Sequence, residues 1–499
     1  MFKRVSVVTA FTGLNLAATL LNQVVLAYLF GSGASMDAFL MSGALPFAVL
    51  TLAIGDLGYV LIPLLMEHER KGEARAAIDS SFTAVVAIAA CVAVLGAIGH
   101  RGILRLTTAP ATPAPTFELA ASIAPLMWVI VGLTIIGSYL TGIHHYRRRF
   151  TLPTATLAVP YLGMIAGGLL GARHFGILSV VVGWAGGTFL RSLVLYVALP
   201  RPYARFVAPL SHPAAIALLR TLFPLGVSLL PFAALPMIDV FWASSLPVGS
   251  ISYLGYSNRI VIALTSIVVQ GVSIVLFPDL AKDIADGHIE SFRRKVVGAV
   301  KMIFLAIVPL AVFAALMRIQ LLQILLERGK FTSASSLGVA RVLPLYLAGT
   351  IWMAMMNIII RGFYATRDYI TPAKIGVVAL LIYTAMCGLL VYLLSYLGNG
   401  VAYSVFWLLM FIVQCHYLEK KAGALLTGEL FVYFGKVLAS SLLAAGVTAA
   451  LSSIVKIGSE GMMDLTLRGT VCAALFMAIS HYLFRLPQYR MVLAGFHRK

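Results

Sequence analysis

The sequence predicts an all-α integral membrane protein of about fourteen transmembrane helices. They are expected to form two parallel six-helix lobes around a central cavity, with two extra helices at the C-terminus. Three observations lead there. Hydrophobic residues make up 61% of the chain and charged residues only 11%, with a mean hydropathy of +0.97. Such a chain cannot cover a water-facing surface, so its length supplies membrane spans rather than several soluble domains. Apolar runs recur at the length of about 20 residues that an α-helix needs to cross the hydrocarbon core. Finally, one pattern of turns and spans is written twice, at a nearly constant offset.

The runs fall at residues 5–29, 36–66, 77–99, 118–142, 151–172, 177–199, 221–244, 251–279, 296–317, 337–360, 373–395, 400–418, 430–452 and 464–484. In the first, Lys3-Arg4 precede an apolar stretch of about 25 residues without a small-residue cleavage site, so it reads as a span and not a signal peptide. The second is too long for one straight crossing and is interrupted by Gly55-Asp56-Leu57-Gly58. It is either a bent, mobile gate or a span that ends early in an interfacial tail, and Asp56 there must face a wet cavity or an interface. Asp37 follows a tight Gly31/Gly33 turn, where it is placed to cap the second span. After the sixth span, the segment 201–220 (RPYARFVAPLSHPAAIALLR) is expected to lie along the inner interface as a linker.

The repeat sets the domain organisation. Phe30-Gly31-Ser32-Gly33 recurs as Pro247-Val248-Gly249-Ser250, Pro63 as Pro278, Gly72 as Gly287 and Pro125 as Pro344. The loop 142–153 (GIHHYRRRFTLP) recurs as 362–372 (GFYATRDYITP). These matches lay spans 1–6 over spans 7–12, giving an N-lobe at 1–200, the linker at 201–220, a C-lobe at 221–418, and spans 13–14 with a tail at 419–499. Six spans is an even number, so the halves run parallel in the membrane. Duplicated helical bundles are how many transporters build a substrate site between two halves.

Lys and Arg concentrate in alternate loops, notably Arg147-Arg148-Arg149, Arg293-Arg294-Lys295 and Lys420-Lys421. By the positive-inside rule both termini are expected in the cytoplasm. That bias accounts for most of the formal net charge of +19 through topology and anionic headgroups, with no nucleic acid required. Cys91, Cys387, Cys415 and Cys472 lie in apolar runs at no ligand-like spacing. They read as packing residues, and no metal or cofactor is expected. The histidines lie in loops or at span ends, so no buried proton relay is indicated.

Chemistry is then sought among charges inside spans, where an ionised group costs at least about 2.5–3.5 kcal/mol. The main candidates are Asp37, Asp56, Arg191, Asp239, Arg259 and Arg341. Arg259 lies eight residues into its span, about 12 Å deep at about 1.5 Å per residue. Asp239 reaches a comparable depth in the preceding span, and the two are close enough to meet. One reading is a static ion pair. The other is a cation held by Asp239 until an anionic headgroup displaces it, a role that suits the donor fork of arginine. Asn15, Asn22 and Gln23 supply neutral polar groups for the same cavity, while Asp37, Asp56 and Asp239 are candidates for gating or pairing.

The segments 29–46 (LFGSGASMDAFLMSGALP), 249–259 (GSISYLGYSNR), Gly329-Lys330-Phe331-Thr332 and 362–372 resemble the MurJ/MviN lipid II flippases of the multidrug/oligosaccharidyl-lipid/polysaccharide exporter superfamily. The resemblance runs over nearly the whole chain. It implies transport without covalent chemistry: an undecaprenyl-diphosphate-linked saccharide, lipid II above all, passes from inner to outer leaflet by alternating access. Spans 13 and 14 would form a groove for the lipid tail. It also implies a role for Arg259 at the headgroup, membrane lipids as surroundings, and cell-wall or polysaccharide assembly machinery as partner. This chain departs from the family in having Asn22 and Leu50 where cavity arginines are usual, and Ile262 where an acid is typical. Residues 373–395 contain no Asp, Glu, Asn or Gln, so a family-type sodium site is not expected. These departures keep an exopolysaccharide or O-antigen unit open as an alternative cargo. A drug antiporter would usually couple through buried acids, of which only Asp56 and Asp239 are available. A glycosyltransferase would need catalytic acids that loops 100–117 and 318–336 do not gather.

Overall fold

The computed structural model describes residues 2–54, 57–199, 204–208, 211–366, 368, 370–454 and 462–484, and among them every regular element is helical. The first part of the chain forms α1 (Phe2–Phe30), α2 (Ala34–Ile54), α3 (Leu57–Arg70), α4 (Ala74–Thr107), α5 (Ala114–Tyr146), the short α6 (Thr151–Ala155), α7 (Val159–Phe175) and α8 (Leu178–Val197). Then follow α9 (Pro213–Ala243), α10 (Ser250–Ala285), α11 (Ile289–Leu316), the short α12 (Arg318–Leu325) and α13 (Ser333–Ala365). The chain continues as α14 (Ile370–Leu394), α15 (Leu397–Ala422), α16 (Gly428–Ile454) and α17 (Met462–Ala478).

A helix stands at each of the fourteen expected spans, with α2 and α3 sharing the second and α6 and α7 the fifth. Among the described residues, 11 helices are long and apolar enough to cross a membrane. Beyond these, α9 and α10 run 31 and 36 residues, and α17 has 17. The break within the second span falls where expected, between Ile54 and Leu57, although Gly55 and Asp56 lie outside the described residues. Large apolar side chains such as Ile98, Leu170, Leu381 and Tyr392 face outward on these helices. That surface suits hydrocarbon and would associate in water.

By packing, the chain divides into two compact units: Met1–Ser252 with Leu326–Thr332, and Tyr253–Leu325 with Ser333–Lys499. Within the first, α4 and α2 pack on α5, α7 on α8, and α9 on α2, α3 and α4. Its core gathers Leu65, Phe82, Trp128, Tyr139, Ile143 and Leu195. Residues 213–220, expected along the interface, are the first turns of α9, and Ala214, Ala215 and Leu218 are buried there. Within the second unit, α13 packs on α15 and α11, α14 on α15, and α16 on α11 and α17. Tyr346 stacks on Tyr403, and Phe304 on Phe434. The packing boundary after Ser252 and the repeat boundary at 201–220 are separate divisions, one drawn by contacts and one by duplicated sequence.

The repeated turns have repeated backbone geometry. Gly72 and Gly287 both take the left-handed region, at φ +75° and +73°. Each closes a helix with the same pair of bonds. Glu73 N donates to the His68 carbonyl at 2.9 Å and Gly72 N to that of Glu69 at 3.0 Å. In the second turn, His288 N donates to the Asp283 carbonyl at 2.8 Å and Gly287 N to that of Ile284 at 3.2 Å. This is the Schellman arrangement, in which a left-handed residue lets the chain satisfy the last helical carbonyls. The loops at 142–153 and 362–372 agree in the same way: Arg149 N donates to the His144 carbonyl at 2.8 Å, and Asp368 N to the Phe363 carbonyl at 3.0 Å. Pro125 and Pro344 each lie inside a long helix.

Candidate functional site

The apolar α1 carries one polar stripe. Asn15, Thr19 and Asn22 are spaced four and three residues apart, which puts them on one helical face. The Thr19 hydroxyl is spent on the Asn15 carbonyl at 2.9 Å. The two amide side chains are not: Oδ1 of Asn15 and Oδ1 of Asn22 are buried without a hydrogen-bond partner, and Asn22 is only 1% exposed. A buried acceptor without a donor is costly, which marks these two oxygens as positions a hydroxyl or amide of a ligand could satisfy. Gln23 follows the stripe and is half-buried.

At the far end of α1 two motif stretches meet. Lys330 N donates to the Tyr28 carbonyl at 2.9 Å. A Cβ at Gly31 would lie 2.3 Å from the Lys330 carbonyl oxygen, so the turn after α1 requires glycine to let loop 326–332 approach. Phe331 of that loop is buried. The segment beginning at Leu29 and the Gly-Lys-Phe loop are thus one packed feature of the first unit.

Asp37 does cap a helix, but not its own. Its carboxylate accepts from Gly249 N at 2.6 Å and Ser252 N at 2.8 Å, and also from the Ser252 hydroxyl. It therefore closes the N-terminus of α10 from more than two hundred residues away in sequence. The orphan amides of a helix start suit an anion, and a buried carboxylate suits several donors. Asp37 is 3% exposed.

The remaining expected residues stand on several helices. Asp239 is buried on α9 in the first unit, and Arg259 is half-buried on α10 in the second. Asp56 lies outside the described residues. Leu50 is buried and Ile262 half-exposed. Arg191 on α8 is buried between α5 and α8, where it donates to the Thr141 hydroxyl at 3.2 Å while its Nε has no partner.

Sequence reasoning missed how the linker is held. Arg205 N donates to Asp79 Oδ1 at 2.9 Å, Val207 N to the Thr83 hydroxyl at 3.1 Å, and His212 N to the Ser80 hydroxyl at 3.1 Å. The linker is strapped along the start of α4 by side chains that replace its sheet or helix partners. The signal was the polar run Asp79-Ser80-Ser81-Phe82-Thr83 opening an otherwise apolar span. On the loop before α14, Asp368 accepts from Thr371 N at 3.0 Å and from Lys421 Nζ at 2.6 Å. Burial pushes its carboxyl upward, but the bonds from Lys421 and Thr371 outweigh it and hold the group at about 2.

An array of long apolar helices defines a multi-pass membrane protein, and the family it matches makes it a transporter. The chain belongs to the family described as Lipid II flippase MurJ, whose profile matches residues 26–467. It is 24% identical over 397 residues to the lipid II flippase MurJ of Burkholderia cenocepacia, covering 77% of each chain. Its fold is that of a solved lipid II flippase MurJ in an inward closed conformation, with a TM-score of 0.79 at 18% identity, covering 96% of this chain and 98% of that one. An inward-facing multidrug resistance MATE family transporter of the MOP superfamily superposes with a TM-score of 0.71 at 13% identity, over 84% of this chain and 98% of the other.

Proposed function

We propose that this chain moves an undecaprenyl-diphosphate-linked saccharide, lipid II first, from the inner to the outer leaflet by alternating access. A diphosphate with its sugars cannot cross hydrocarbon unaided, because its charges and hydroxyls would lose their water. The unpartnered Oδ1 atoms of Asn15 and Asn22 carry the reading: they are acceptors for sugar hydroxyls and N-acyl amides, which are donors. Gln23 extends that stripe. Arg259 supplies the complementary donors for phosphate oxygens. The prenyl tail stays in lipid, and a change in which side the site faces delivers the headgroup. The basic loops support cytoplasmic termini, and the cargo's fate supports an encounter with cell-wall assembly machinery.

The test is growth of a bacterium whose own lipid II flippase can be shut off. Rescue by this chain, lost with Arg259→Ala in a protein that still inserts, is the expected result. An inserted wild-type protein that fails to rescue favours the second reading, export of an exopolysaccharide or O-antigen unit. That reading is supported by Asn22 and Leu50, neutral residues at two positions on spans 1 and 2 that the resemblance would fill with arginine. Loss of surface polysaccharide on deletion would then identify it.

A further inference from the structure

The strapped linker brings together three side chains that no step of transport uses. His68 near the end of α3, Glu73 just before α4 and His212 just before α9 each offer one ligand atom, and these atoms all lie within 4.8 Å of one another. We propose that His68 Nε2, His212 Nε2 and the Glu73 carboxylate form a binding site for a divalent metal ion of the zinc class.

The local geometry favours an ion over a simple hydrogen bond. His212 Nε2 and Glu73 Oε2 are 3.4 Å apart, long for an N–H···O bond, which prefers about 2.7–3.2 Å. It matches the ligand-to-ligand edge of a tetrahedron whose bonds are about 2.0–2.2 Å, an edge of roughly 3.4 Å. His68 Nδ1 lies 2.9 Å from the Leu64 carbonyl. That acceptor fixes the ring proton on Nδ1 and leaves the Nε2 lone pair for a metal, the usual support for a metal-binding imidazole. The two rings stand edge to face with centroids 5.1 Å apart. Glu73 occupies the N-cap position of α4 but makes no side-chain cap, so its carboxylate is not committed to the helix.

The chain also holds the ligands in advance. The turn at Gly72 joins His68 to Glu73 by a backbone bond. The bonds from Arg205, Val207 and His212 to Asp79, Thr83 and Ser80 deliver His212 to the same place. Two imidazoles and one carboxylate suit zinc better than magnesium or calcium, which want oxygen ligands. Ala214 N donates to His212 Nδ1 at 3.2 Å, and ligation at Nε2 moves the ring proton to Nδ1. Metal entry therefore breaks that cap bond, since two N–H donors would then face each other, and couples the ion to the start of α9.

The test uses full-length, untagged protein in nanodiscs, titrated with Co2+ and Zn2+ and followed by cobalt absorption and metal analysis. His68→Asn keeps a donor for the Leu64 carbonyl and His212→Asn keeps an acceptor for Ala214 N, so both delete only the ligand atom. Glu73→Gln changes an exposed side chain and supplies a third variant that leaves packing alone. One equivalent of tetrahedral Co2+, displaced by Zn2+ and weakened at least about 100-fold in each histidine variant, is expected, since even outer-shell changes cost about 10–100-fold. Substoichiometric binding to the wild-type protein overturns the proposal. So does binding that the three variants leave unchanged, which would place the ion elsewhere. Neither result depends on the cargo, so growth rescue can succeed or fail independently.

Discussion

The turns at 68–73 and 283–288 share a backbone and differ in everything the backbone carries. Both close on a left-handed glycine with the same two bonds. In the first, His68 and Glu73 stand with His212. In the second, the acid and the imidazole change places, as Asp283 and His288, and Asp283 pairs with Lys295 at 2.8 Å. The loops 142–153 and 362–372 diverge likewise: Arg149 occupies the turn position at which the other repeat has Asp368, paired with Lys421. The proposed transport groups lie at non-equivalent places of the two repeats, neutral amides on α1 in one and Arg259 on α10 in the other. Duplication has kept what glycine and proline dictate and released the side chains to specialise.

The largest expected effect tests that specialisation. Arg259→Ala should abolish growth rescue with insertion intact, while Arg259→Lys keeps part of it; full rescue by the alanine variant would remove the charge asymmetry from the mechanism. Next comes Asp37→Ala, which leaves the amides of Gly249 and Ser252 without their acceptor. Charge-assisted bonds are worth about 1.5–3 kcal/mol each, so a marked fall in thermal stability of the purified protein is expected, and a smaller one for Asp37→Asn. Gly72→Ala and Gly287→Ala should each cost about 1–2 kcal/mol, the penalty for a side chain in the left-handed region. Unequal losses, measured as shifts in melting temperature, would break the equivalence of the two turns.

The smallest effect is the pH response of the 362–372 loop. The Asp368 carboxyl sits at about 2, below its ordinary value near 3.8. Its contribution to stability is therefore fully present above that ordinary value and is lost as pH falls from it through about 2. Because Lys421 is substantially exposed, Lys421→Ala should cost no more than about 1 kcal/mol. It should also flatten the acid limb of a stability profile between pH 4 and pH 2; the loop at 142–153 contains no carboxylate of its own that could titrate there.

What was legible in the sequence is what local chemistry writes. Apolar run lengths located the spans, and Gly72, Gly287, Pro125 and Pro344 located the repeated turns and helices, because φ and hydropathy are properties of single residues or short windows. Asp37 was recognised as a capping acid, yet its partner lies beyond two hundred residues of intervening chain and no spacing announces it. The same holds for His68 and His212, read as unrelated loop histidines until the strap joins them. The packing of α9 with the first unit was hidden too, since the linker's amphipathic pattern serves an interface and a helix bundle equally well. Asn15 and Asn22 were readable as polar residues in a span; that their oxygens lack donors is visible only in three dimensions.

The Asp37 contact carries one more consequence. It grips main-chain amides at Gly249 and Ser252, and only one of its three bonds reaches a side chain. The bond at 252 does not read the side chain there, but Gly249 takes φ +101°, a region that favours glycine, so the gripped turn is itself tied to that residue. Position 252 can vary with the loss of only the hydroxyl bond, whereas 249 is held to glycine by its backbone, and proline at 252 would remove the amide that Asp37 grips.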